Sequence, residues 1–201
     1  MTAPRVSLGA VAPYRAFPPA AQKWTARKDR RPAAQPKVVP YTRRYEIMWL
    51  DENGMIEDAV RVAPAIAAFE AAFSAFTHGT VIATTEGPVA VEDLVPGMMI
   101  ETAEGEPARL EWIGAMSVMP GGPDRGGLDD RLYRVVADAF GLGRPATDVT
   151  FGPGARFLDR SPETRNHLGT DAALAPVAAF ADGDAVIEIT PMAPVRVYHL
   201  G

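Results

Sequence analysis

From Tyr45 the hydrophobic pattern has a period of two, Tyr45, Ile47 and Trp49 alternating with Glu46, Met48 and Leu50. Period-two texture of this kind predicts a strand. Asp51-Glu52-Asn53-Gly54 then supplies an Asn-Gly turn and Met55-Ile56-Glu57 resumes the chain, so a β-hairpin is predicted here. Pro64 stands where a first helical turn tolerates proline. Ile66, Phe69, Phe73 and Phe76 follow at spacings of three, four and three. That spacing predicts a helix with the aromatic stripe toward the core and Glu70 on the polar face.

Beyond Thr77 the helical period fades and short extended runs take over. Thr80 to Thr84 reads as a strand and Thr85-Glu86-Gly87-Pro88 as a turn. Val89, Val91 and Leu94 lead to a second turn at Pro96-Gly97. Met98 to Thr102 and Arg109 to Met116 read as strands around a turn at Ala103-Glu104-Gly105. The glycine-rich stretch Pro120 to Gly127 is a connection, and it lacks the Gly-Lys-Ser/Thr ending of a phosphate-cradling loop. Leu128 to Phe140 fits a helix and a strand equally well. Asp148 to Leu158, Ala185 to Ile189 and Pro194 to Leu200 read as strands, while Glu163 to Gly169, with His167, reads as a polar loop. Strands at this spacing predict a mainly β fold, sandwich or barrel-like.

The pattern also repeats. Val91, Leu94, Gly97 and Ile100 recur 86 residues later as Val177, Phe180, Gly183 and Val186. Arg109, Ile113 and Gly114 recur 87 residues later as Arg196, Leu200 and Gly201. So long a period implies two half-domains sharing one core about a pseudo-twofold axis, not a solenoid.

Charge divides the chain differently. Residues 1–44 carry ten of the twenty Lys+Arg, one acidic residue (Asp29) and seven of the nineteen prolines, a local balance of +9. The remainder carries ten arginines against twenty-four acidic residues, or −14. A segment with so little apolar pattern cannot offset its ordering entropy, so 1–44 is expected to be a flexible basic arm. Such an arm could neutralise phosphates of an acidic partner, nucleic acid or acidic lipid, dock on the acidic body of the same protein, or remain a solvated tail. The rest divides into a hairpin and helix over 45–74 and a β domain over 75–201. There is no cysteine in the 201 residues and there are three histidines, which excludes disulfides, thiolate metal sites and a cysteine nucleophile. Asp129-Asp130 and Asp182/Asp184 have the spacing of turn charges; neither a metal nor a cofactor is expected. No apolar run is long enough for a membrane span. With no signal pattern at the N-terminus, a cytoplasmic location is the default expectation.

The segment Phe76-Thr77-His78-Gly79-Thr80-Val81-Ile82-Ala83-Thr84, continued through Gly87 to Leu94 and Pro96-Gly97 as far as Trp112-Ile113-Gly114, resembles the opening motif of the Hint (Hedgehog/intein) superfamily. It is more similar to bacterial Hint-domain proteins than to true inteins, and the arginine-rich, alanine-rich body fits a GC-rich bacterial source. Asp148 to Leu158 is similar to the family's histidine-bearing block, and Pro194 to Leu200 to the strand leading into its C-terminal block. The resemblance covers about residues 75–201. It implies an all-β Hint-type fold with pseudo-twofold symmetry, here preceded by the hairpin and one helix.

The chemistry the resemblance implies is an acyl shift. A cysteine or serine opening the motif attacks the preceding peptide carbonyl, while a threonine and a histidine of the second block polarise and protonate the scissile amide. In this sequence those three positions hold Ala75, Gly152 and Ala155. Neither alanine can attack a carbonyl or protonate an amine. The chain also ends at Gly201, short of the processing residues the resemblance would place beyond the third match. A degenerate domain is therefore expected, without autoprocessing and without catalytic residues, acting as a binding or structural module. Two alternatives differ in class. One is self-cleavage through Ser74 or Thr77, with His78 adjacent; the other is nucleic-acid binding through the basic arm. His199, in the last strand, reads as a packed or edge histidine.

Overall fold

The computed structural model describes residues 41–103, 105–120 and 130–201. The arm as far as residue 40 and the glycine-rich connection after Pro120 lie outside them. The hairpin forms as the alternation predicts: β1 (Thr42–Leu50) pairs antiparallel with β2 (Ile56–Pro64). Gly54, at a φ of +75°, supplies the turn conformation that only glycine takes without strain. The strand starts at Thr42, so Arg43 and Arg44 belong to the sheet and not to the arm in which charge placed them. β1 also pairs with β8 (Trp112–Val118), which makes the hairpin the outer part of the main sheet.

The helix is much shorter than its aromatic stripe. α1 covers only Ala67–Ala71. The Ser74 hydroxyl donates to the Glu70 carbonyl at 2.7 Å, a back-bond that takes the acceptor a further helical turn would use. The next residues already belong to the sheet, since Ala75 N–H donates to the Tyr198 carbonyl at 2.8 Å. Phe76 therefore lies in β3 (Phe76–Thr77), Phe69 is half exposed and Phe73 is buried beside Tyr45, ring centroids 4.8 Å apart. Glu70 is not on a polar face: it is 1% exposed. Its carboxylate meets Arg43 Nε at 2.5 Å, and the same guanidinium donates to the Ser117 carbonyl of β8.

Eight strands make the main sheet. In addition to β1, β2, β3 and β8 they are β9 (Leu132–Val135), β10 (Val149–Phe151), β13 (Val186–Ile189) and β14 (Val195–Leu200). Their spatial order is β13-β9-β10-β3-β14-β8-β1-β2. A four-stranded sheet in the order β5-β4-β6-β7 joins β4 (Val81–Thr84), β5 (Gly87–Ala90), β6 (Met99–Ile100) and β7 (Ala108–Arg109). A third pairs β11 (Arg156–Asp159) with β12 (Ala173–Pro176). The fold is mainly β, as the spacing of the short strands predicts. Two runs read as single strands are broken. Arg109 and Trp112 fall in different sheets, because Leu110 bonds back to Met98 while Trp112 starts β8. Asp148 to Leu158 is split by Gly152-Pro153-Gly154-Ala155. The polar loop around His167 is a helix, α2 (Pro162–Leu168), capped by the Ser161 side chain and closed by Gly169 in the left-handed region.

The sequence echo is a structural repeat. Val91 and Val177 each open a 3₁₀ turn, Val91–Asp93 and Val177–Phe180, and each is fully buried. Val91 N–H donates to Thr80 O at 2.8 Å just before β4; Val177 N–H donates to Ala155 O at 2.9 Å just before β11. Gly97 and Gly183 both take positive φ, and Ile100 and Val186 both lie in the strands that follow. Two pairs face each other directly: Phe76 opposite Phe151, and Ile113 opposite Leu200. Residues related by the repeat and opposed across antiparallel strands are what a pseudo-twofold axis produces.

Candidate functional site

The pseudo-twofold pairing of β3 with β10 brings residue 75 against the 152–155 loop, where backbone hydrogen bonds tie the two segments together. Ser74 C=O accepts from Gly154 N–H at 2.9 Å, and Ala75 C=O accepts from Gly152 N–H at 2.9 Å. Ala75 N–H is held by Tyr198 of β14. The Ser74–Ala75 peptide is thus fixed on both faces by backbone alone.

The side-chain positions are filled with methyl groups or with nothing. Ala75 and Ala155 lie in one buried cluster with Tyr133, Val135, Val177 and Val186. At Gly152 a Cβ would stand 2.2 Å from the Ser74 carbonyl oxygen and 2.9 Å from its carbon. At Gly154 a Cβ would stand 2.5 Å from Ser74 Oγ and 2.7 Å from the Ala71 carbonyl oxygen. Glycine is required here by close approach of backbones, and the structure leaves no room for a side chain at 152.

The neighbouring hydroxyls are committed elsewhere. Ser74 is fully buried with its hydroxyl on Glu70 O, and Thr77 Oγ donates to the Thr150 carbonyl at 2.8 Å. His78 is exposed and its Nε2 lies 3.4 Å from Glu92, whose other carboxylate oxygen accepts from Gly79 N–H. His167 is exposed on α2. His199 stacks on Trp112, 5.9 Å between centroids at 13°, and its Nδ1 is buried without a hydrogen-bond partner. Asp182 caps a turn, accepting from the N–H groups of Asp184 and Val186. The structure therefore unites the three positions marked by sequence, Ala75, Gly152 and Ala155, and keeps the titratable groups named with them in separate local contacts. The sequence pattern does not reveal the Arg43–Glu70 ion pair, because charge places Arg43 in the arm and helical spacing places Glu70 on a polar face.

A family model described as a Hint domain matches residues 74–201. The chain belongs to the Hint-domain family. Comparison with curated proteins and with solved structures finds no match. The match begins at Ser74, so in this Hint domain the Ser74–Ala75 peptide stands at the entrance to the family's fold.

One consequence concerns pH. Burial holds the His199 imidazole below its ordinary value, so between that lowered value and about 6.5 the unfolded chain binds a proton the native chain refuses. Stability is therefore lost as pH falls below about 6.5. The lowered carboxyls of Glu46, hydrogen-bonded by Arg196, and of Asp159, hydrogen-bonded by Thr164, act only at lower pH. Urea midpoints followed from pH 7.5 to 5 should fall for the parent protein. They should stay nearly level over that range for His199→Phe, which keeps the stack on Trp112.

Proposed function

We propose that this Hint domain does not process itself and serves as a binding or structural module. The observation that carries this reading is the 2.2 Å separation between a Cβ at residue 152 and the Ser74 carbonyl oxygen, which bars the threonine that family chemistry would place there. Ala75 supplies no nucleophile and Ala155 no proton donor, and both methyls are sealed in an apolar cluster. A general acid and an activated nucleophile are each needed for acyl transfer to proceed at a useful rate. The Gly154 N–H that donates to Ser74 O has the form of an oxyanion donor. It polarises a carbonyl that nothing is placed to attack.

The reading in which Ser74 or Thr77 attacks draws no support from their geometry. Each hydroxyl already donates to a backbone carbonyl, and neither has an imidazole as its hydrogen-bond partner. The test is the intact mass of the purified chain after prolonged incubation, with and without hydroxylamine. A single species of full mass is expected; fragments divided at Phe73–Ser74, Ser74–Ala75 or Phe76–Thr77 would overturn the reading.

A further inference from the structure

A cavity of about 690 Å³ opens beside β10 and β11, and its walls combine two chemistries. Its floor is aromatic. Phe157 stands edge-on to Phe151 and Phe140, with centroids 5.0 and 5.8 Å away, and tilts against Phe180 at 5.6 Å. Its rim carries Arg144, Arg156 and Arg160, all exposed.

The arginines are unusual for this protein. Residues 45–201 carry a balance of −14, and seven of the eleven arginines among the described residues lie against a carboxylate. Only Arg61, Arg144, Arg156 and Arg160 do not, and the last three share this cavity. The one acidic residue in the wall, Asp159, is occupied in capping α2: it accepts from Ser161 N–H, from the Ser161 hydroxyl and from the Thr164 hydroxyl. Three guanidinium groups over one occupied carboxylate leave the mouth positive. Arginine forks match carboxylate and phosphate oxygens in pairs, and an apolar cleft of this size is what a small ligand fills.

We propose that this cavity binds an amphipathic anion, with its carboxylate or phosphate head on Arg144, Arg156 and Arg160 and its apolar or aromatic body on Phe140, Phe151, Phe157 and Phe180. This rests on the reading of the domain as a binding module and gives it a ligand class. Phe151 and Arg156 bracket the Gly152–Ala155 loop, so the block that lacks a catalyst forms one wall of the cavity.

The full chain, titrated calorimetrically with octanoate, octyl phosphate and octyltrimethylammonium, tests this. At least one of the anions should bind at a single saturable site, about tenfold or more tighter than the cation of equal chain length, a difference of about 1.4 kcal/mol. Which anion binds better distinguishes a carboxylate from a phosphate head. Arg156→Gln with Arg160→Gln should weaken that anion about tenfold or more, with the circular dichroism melt unchanged because both side chains are exposed. Arg61→Gln, outside the cavity, should leave the affinity as it is. Failure of both anions to bind, equal binding of the cation, or indifference to the double substitution would overturn the assignment. Intact mass recorded on the same samples keeps the two claims apart. An uncleaved chain that binds no anion refutes the cavity alone, whereas cleavage at Ser74 refutes the inert-junction reading whatever binds.

Discussion

Glu70→Ala should lower the unfolding free energy by about 3–5 kcal/mol, read as a drop in urea midpoint at unchanged slope. The carboxylate is 1% exposed and lies 2.5 Å from Arg43 Nε, itself 19% exposed. Removing one partner strands the other charge away from water, which costs far more than the pair contributes. The guanidinium also bonds the Ser117 carbonyl, so its displacement loosens the contact between β1 and β8. A second variant separates lost pairing from lost volume. Arg43→Met with Glu70→Leu removes both charges and keeps most of the bulk, and it should recover much of the loss, because apolar replacement of a whole buried pair is often neutral. A double variant as unstable as Glu70→Ala would show that the pair itself holds the hairpin to the sheet. An effect of Glu70→Ala below about 1 kcal/mol, as expected of surface pairs, would contradict the burial.

The second large effect is expected at Gly152. Gly152→Ala should destabilise by about 1–3 kcal/mol, the usual range for overpacking, and Gly152→Thr by more. The added atom meets backbone, not a flexible side-chain end. To make room, the 152–155 loop must leave the Ser74 carbonyl. That breaks the hydrogen bonds from Gly152 and Gly154 to the 74–75 segment. Chemical denaturation of the three proteins checks this. A threonine tolerated within about 0.5 kcal/mol, the scatter of neutral surface changes, would mean that the loop is not held against the junction and that the family's side chain fits.

Several features of this architecture are legible in the sequence because they rest on local chemistry. The Asn53-Gly54 turn, the strands that end at Thr84 and Leu200, and the repeat of Val91 and Gly97 in Val177 and Gly183 depend on turn geometry and period alone. The motif beginning at Phe76 pointed to the family that the match over 74–201 shows. Features set by distant parts of the chain were not legible. The stripe from Ile66 to Phe76 has helical spacing, yet sheet partners at Tyr198 and Gly154 capture residues 74 and 75 and end the helix at Ala71. Glu70 reads as solvated until Arg43, 27 residues earlier, is placed beside it by β1. α2 is a different case. Ser161, Pro162 and Gly169 are a capping residue, a first-turn proline and a helix-closing glycine, but the seven-residue helix between them has too few apolar positions to announce a period. At the junction, the family resemblance implies which side chains are absent. The closeness of Gly152 to Ser74, which makes their return costly, depends on the fold.

On the proposed reading, the Ser74–Ala75 peptide is chemically inert because the groups that would cleave it are missing and their space is closed. Intact-mass spectrometry of the parent protein and of Ala75→Cys, incubated side by side with hydroxylamine and with thiol, tests it most directly. The substitution places a thiol in a buried site but supplies neither a proton donor at Ala155 nor room at Gly152. Both proteins are expected to remain at full mass throughout. A fragment pair divided at Ser74 and Ala75, in either protein, would show that the peptide is not inert.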